Sequence, residues 1–164
     1  MAINVFPVKS AGAAKAKKID YFTASGSWTA PSGVTFVIAT MVAGGGGGGG
    51  HYSNGSAGTS TVFGSLTHEA ASGGVGGNVS DPIYGQRNGG ENTGQGGSAR
   101  GERDSGSTNT IVTPGQSSTA KRIGLEVTPA TSYTVTIGAG GAGGSDRSGN
   151  GASGYVTVEY EIEV

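Results

Sequence analysis

The sequence contains no cysteine, which excludes disulfides, thiolate nucleophiles and zinc ribbons together and leaves packing or assembly as the source of stability. It is also short of net charge. Ten Lys and Arg stand against eleven Asp and Glu, and the resulting charge of -1 supplies no field to gather nucleic acid or an anionic membrane. Long apolar runs are missing as well. The longest, VTFVIATMVA at 34–43, has ten residues where a membrane-spanning helix needs about twenty, and INVFPV near the start is too short for the apolar region of a signal peptide. Aromatic residues are sparse, with none between Tyr84 and Tyr133. The segment GSARGERDSG at 97–106 therefore has no base-stacking side chain, and its acids Glu102 and Asp104 offset Arg100 and Arg103. With only two histidines, His51 and His68, and no carboxylate spaced to complete a ligand face, neither a metal nor a cofactor is expected.

Glycine is abundant. There are 35 glycines, and glycine, proline and serine together make 59 of the 164 residues, a fraction above the roughly 25–30% at which aperiodic chains read as low-complexity. Their distribution argues for a fold. Thirty-two of them lie between Gly44 and Gly154, where short segments of strand composition interrupt them. Seven run consecutively from Gly44 to Gly50, directly after the longest apolar run. Glycine loses more backbone freedom on ordering than any other residue, so this run is ordered only if close packing compensates. Polyglycine can follow an extended path of about 3.1 Å per residue and lie beside its neighbours at a spacing no Cβ allows. The runs 44–50, GGVGG at 73–77, GQGG at 94–97 and GAGGAGG at 138–144 are expected to pack in this polyglycine-II-like way, within one chain or across a symmetry axis.

The remaining pattern is that of strands. IDYFTA begins at Ile19, and SGSWTAPSG reads as a turn-rich corner. In 34–43 apolar residues fill both alternations, which predicts a central strand covered on both faces. Further strands are expected within 59–66, 122–127 and 132–138. In the last ten residues Val156, Val158, Tyr160, Ile162 and Val164 share one face, and Thr157, Glu159, Glu161 and Glu163 the other. Outside the first 18 residues no helix is convincing, so the expected class is all-β: a small antiparallel β-sandwich, jelly-roll-like, with long glycine-rich loops. Its expected core is Trp28, Phe36, Ile38, Phe63, Tyr133, Val156 and Val158. Residues 1–18 form a head with Lys9, Lys15, Lys17 and Lys18 and no acid, read as a basic docking arm ahead of a domain at 19–164. A polar excursion at about 73–120 is too poor in large apolar residues to form a core of its own.

Catalytic motifs fail on context. Gly138, Gly140 and Gly143 match G-x-G-x-x-G, but SDRSGNGASG follows where a dinucleotide site needs a helix N-terminus. The pair His68 and Glu69 has no nucleophile or oxyanion element beside it, so no enzyme is expected. The glycines lack the strict every-third spacing of collagen, and no fixed period supports a flat ice-binding array.

The ordered set W-T-x-P-x-G-V-T at 28–35, an apolar strand running into polyglycine at 34–50, F-G-S-L followed by GG-x-GG at 63–77, V-T-P-A-T-S-Y-T-V-T-I-G-A-G-G-A-G-G at 127–144 and G-Y-V-T-V-E-Y at 154–160 resembles the glycine-rich domain of bacteriophage tail-fibre and other virion proteins. The chain departs from that pattern at Ala130, where the family usually has glycine, and in the polar stretch 78–120. The resemblance implies a non-enzymatic protein on the virion surface. One expectation is a decoration or knob protein docked on other virion proteins through the basic arm. The alternative is a fibre-tip adhesin whose loops, with Tyr52, Tyr84, Arg87, Asn88 and Glu91, touch a host cell-surface glycan or protein. A homo-oligomer is expected in either case, a trimer around the glycine runs being one arrangement, with no nucleic-acid or membrane partner.

Overall fold

The computed structural model describes residues 14–50, 53–72, 89, 93–97, 114–144 and 148–164. They form eight strands: β1 Lys15–Phe22, β2 Gly26–Thr29, β3 Phe36–Val42, β4 Thr61–Phe63, β5 Leu66–His68, β6 Lys121–Glu126, β7 Ser132–Thr136 and β8 Tyr155–Glu163. Among the described residues there is no helix. The strands make two four-stranded sheets, ordered β1-β8-β3-β6 and β2-β7-β4-β5. The pairs β1·β8, β2·β7, β3·β6 and β4·β5 are all antiparallel, so one long two-stranded ribbon is folded over into two layers. That connectivity is a jelly roll.

Between the sheets Val37, Ala39, Met41, Phe63, Val135, Val156 and Val158 are fully buried. Trp28 sits among aromatic rings, with centroids 5.8 Å from Phe63, 6.0 Å from Tyr133 and 5.5 Å from Tyr160. Its indole N–H donates to Asp20 over 2.7 Å, and the Tyr160 hydroxyl donates to the same carboxylate over 3.0 Å. The half-buried Asp20 thus accepts from both the indole and the Tyr160 hydroxyl.

Three sequence expectations need correction. Phe36 is not in the core. Val37, Ala39 and Met41 take the inward phase of β3, which turns Phe36 outward at 54% exposure and leaves Ile38 half-buried on the same outer face. An ideal Cβ on Gly124, across the ladder, would run into the Phe36 ring, so that aromatic covers a glycine of edge strand β6 instead of filling the interior. The first strand begins at Lys15, four residues before Ile19, because β8 is long enough to pair with all of it. The corner around Trp28 is itself a strand, paired with β7.

Successive strands run in opposite directions, which sorts the connections between two poles. At one pole lie the short β2–β3, β4–β5 and β6–β7 turns, together with the start of β1 and the end of β8, where Val164 N–H donates to Ala14 O over 2.8 Å. At the other lie 23–25 and the described parts of the three glycine-rich connections 43–60, 69–120 and 137–154.

Candidate functional site: the glycine-rich pole

The run Gly44–Gly50 leaves the end of β3 and is buried along its whole length. Its amides donate in rotation to three surrounding segments. Gly44, Gly47 and Gly50 bond Thr59, Ser56 and Ser53; Gly45 and Gly48 bond Ala152 and Gly149; Gly46 bonds Gln116, all at 2.9–3.0 Å. Its carbonyls accept in the same rotation: Gly44 from Ala71, Gly45 from Gly141, Gly46 from Gly97 and Gly48 from Gly144, at 2.8–3.0 Å. A partner that returns every third residue requires three residues per turn, the repeat of an extended polyproline-II-type helix. Six segments therefore surround the run, all from the same chain.

The outer segments obey the same repeat. Ideal Cβ atoms on Gly138, Gly141 and Gly144 would overlap carbonyl or backbone atoms of Thr59, Ser56 and Ser53, whereas those on Gly140 and Gly143 would meet Gly151 and Ser148. The two alanines of GAGGAGG, Ala139 and Ala142, occupy the remaining side and are exposed. In the facing segment Gly55 and Gly58 point at the central run, and Asn54 and Ala57 point outward. The expectation that no fixed period exists is thus corrected: a period of three runs through 53–59 and 138–144, masked in the sequence by the serines, asparagine and alanines between its glycines.

Two side chains join this bundle to the sandwich, and neither was singled out in the sequence. Thr61, fully buried in β4, donates its hydroxyl to Val42 O and accepts the amide of Gly138, both at 2.9 Å. Ser118 Oγ accepts the amide of Ala43 at 3.0 Å. His68 lies 3.3 Å from that hydroxyl, but its Nε2 is 2.6 Å from the carbonyl oxygen of Thr119, which only accepts. The proton on Nε2 is committed to that carbonyl, so the imidazole does not act as a base toward Ser118. Glu69 accepts from Ser60 Oγ over 3.0 Å instead of orienting His68. The geometry fixes the 114–120 segment against β5 and assembles no nucleophile.

Among the described residues no group of three or more His, Cys, Asp or Glu is placed to hold a metal ion. Of the proposed arm cations, Lys15, Lys17 and Lys18 belong to β1 and Lys9 lies outside the described residues. Lys15 pairs with Glu161 at 3.3 Å and Lys17 with Glu159 at 2.6 Å. Glu159 also receives Arg122 at 2.9 Å. The hydrogen bond from Lys17, with help from Arg122, holds the Glu159 carboxyl below its usual pKa. The Tyr160 hydroxyl is pushed up, by burial first and by Asp20 second. The loop residues Tyr52, Tyr84, Arg87, Asn88 and Glu91 lie outside the described residues, as does most of the excursion 73–120. Its described parts, Gly89, 93–97 and 114–120, bond into the bundle, for example Gly94 N–H to Ser153 O at 2.8 Å and Gly115 N–H to Gly97 O at 3.0 Å.

A scan against protein-family models found no match, and searches of curated proteins and of solved structures found none either.

Proposed function

We propose that this chain is a non-enzymatic display protein of a bacteriophage particle, carried at the pole where the chain enters β1 and leaves β8, with the glycine-rich pole presented to a host cell surface. The observation that carries the reading is the separation of the two poles. The start of β1 and the end of β8 sit at one end, and the described parts of the three long glycine-rich connections converge at the other, about 23 Å away along strands of seven residues. The bundle offers outward positions, such as Asn54, Ala57, Ala139 and Ala142, on a scaffold held by its own backbone bonds. The ordered motifs that resemble virion glycine-rich domains supply the particle. Pairing of Lys15 and Lys17 within the chain weighs against the basic arm as the docking element and favours the adhesin over the decoration protein.

The test is adsorption of particles to host cells in the presence of the purified chain. Competition is expected, and it is expected to be lost in an Ala139→Arg/Ala142→Arg variant that unfolds at the wild-type temperature. Particles that carry this chain over the head, with no competition at any concentration, would establish decoration instead; an antibody to the chain that labels no part of the particle would remove the phage reading.

A further inference from the structure

The two outward sheet faces of the sandwich differ sharply. On the β2-β7-β4-β5 sheet, Trp28, Phe63 and Val135 point inward, so the outward positions are Ser27, Thr29, Ser132, Thr134, Thr136 and Thr67 around a half-buried Val62. That face is hydroxylated and uncharged, as a water-facing antiparallel sheet is expected to be polar. The outward face of β1-β8-β3-β6 instead carries Ile19, Tyr21 and Phe36 at 59%, 57% and 54% exposure, three of the four exposed large hydrophobic side chains among the described residues. A cleft of about 460 Å³ opens on it, with Lys15 and Lys17 on one side, Phe36 and Arg122 on the other, and Glu159 and Ile38 lining it between them.

The ladders define which residues stand level across this face. Tyr21, Thr157, Thr40 and Arg122 form one row, and Ile19, Glu159, Ile38 and Gly124 the next. Lys17 and Glu161 are level with Phe36 and Glu126 in the third. The β1 edge thus reads cation, aliphatic, aromatic, and the β6 edge reads anion, glycine under an aromatic ring, cation. These sequences of chemistry are complementary.

We propose that this face is the contact between two copies of the chain, related by a two-fold axis that lies in the interface, parallel to the strands and between β8 and β3. The axis brings β1 of each copy over β6 of the other. Lys17 then meets Glu126 of the second copy, a carboxylate that has no ion pair among the described residues of its own chain. Ile19 covers the Phe36 ring on Gly124, and Tyr21 faces the Arg122 guanidinium in a cation–π contact. Glu159, already neutralised by Lys17 and Arg122, faces Ile38. A two-fold perpendicular to the strands is worse, because it sets Glu159 against Glu159. Four strands about 4.8 Å apart and seven residues long present a face of about 19 by 23 Å, and covering two of them removes on the order of 900 Å², in the range of weak, transient pairing. The dimer is accordingly expected in the micromolar range.

The absence of cysteine makes the geometry directly testable in the full chain. In a Lys17→Cys/Glu126→Cys variant the two positions lie three strands apart within one copy, about 14 Å, too far for an internal disulfide. Facing sheets pack about 10 Å apart, beyond direct disulfide reach, so a bismaleimide with a two-carbon spacer is expected to yield a covalent dimer linked between positions 17 and 126, identified by peptide mass mapping. A product linked 17 to 17 or 126 to 126, or no dimer, would overturn the axis. Sedimentation equilibrium of the unmodified chain is expected to show a monomer–dimer equilibrium weakened at least tenfold by Ile19→Lys, with Trp28 emission confirming that the variant is folded. A chain monomeric to about 1 mM, a trimer, or a dimer indifferent to Ile19→Lys would overturn the interface.

Discussion

Replacing Gly47 by alanine is expected to cost about 4–6 kcal/mol, a magnitude that follows from what a methyl group would meet there. Its Cβ would overlap the carbonyl of Ala142, and no flexible side-chain end is available to move aside. Restoring an ordinary C···O separation of about 3.3 Å requires the 138–144 segment to retreat by about an ångström or more. That retreat strains or breaks three bonds that hold the segment: Gly141 N–H to Gly45 O, Gly144 N–H to Gly48 O, and Ser56 N–H to Ala142 O, each now 2.8 Å. At about 1 kcal/mol net for each bond, and about 1–3 kcal/mol for overpacking, the sum reaches the stated range. Set against a stability of about 5–15 kcal/mol for an ordinary domain, the change is large. The control is Gly26→Ala, at a position in β2 where nothing lies within 4 Å of the added carbon, and there the change is expected to stay within about 1 kcal/mol. Urea unfolding followed through Trp28, the single tryptophan, reports the sandwich, and hydrogen exchange of the 45–48 amides reports the bundle. If the two variants unfold at the same urea concentration and the 45–48 amides of Gly47→Ala keep wild-type protection, the packing account of the glycine run is wrong.

Ala130 stands at φ +60° in the turn closed by Thr131 N–H and Thr128 O at 3.2 Å, with Pro129 before it, the arrangement of a type II turn. An L-residue in this region is strained by about 1–2 kcal/mol, partly offset in glycine by its freer unfolded state, so Ala130→Gly is expected to stabilise by about 0.5–1 kcal/mol and raise the melting temperature by a few degrees; a lowered melting temperature would contradict it. The depressed Glu159 carboxyl contributes stability that is present above the ordinary glutamate pKa of about 4.3 and is lost as pH falls through its lower folded value. Acid titration of the melting temperature is expected to fall less steeply below that pH in Glu159→Gln than in the wild type, and a steeper fall in the variant would reverse the sign of the inference.

The strands of the sandwich were legible where one face is polar. In β8 the alternation of valines with threonine and glutamates assigns both faces, and Val156 and Val158 are buried as it predicts. In β3 both alternations are apolar, so the sequence carries no information on which phase points inward, and Phe36 and Ile38 were placed in the core while their neighbours Val37 and Ala39 fill it. Trp28 and Phe63 stand out because large aromatics bury the most area, but the strand around Trp28 is hidden by its glycines, serines and proline. Thr61 gave no signal, since a threonine in a strand is ordinary until its hydroxyl is seen bonding two backbone groups. The three-residue period is present in GAGGAGG and in the spacing of Gly55 and Gly58, but over the whole chain it is diluted by segments that have none.

A bundle with this repeat separates support from display within each segment. Facing positions must lack a side chain because backbone approaches backbone, as Gly141 against Ser56 requires, and the position between them points away from every neighbour. Residues at that open position make no contact on which the scaffold depends. Ala139 and Ala142 fill it in one segment and Ala57 in the next, so their chemistry can change while the hydrogen-bond rotation around Gly44–Gly50 stays as it is. A β-sheet face offers the same freedom only on one side, and a flexible loop offers it without a fixed geometry. For a molecule whose proposed task is contact with a variable surface, this is a physical reason to accept the conformational cost of seven consecutive glycines: they form the axis that lets the surrounding segments stay rigid while their outward residues remain free to differ.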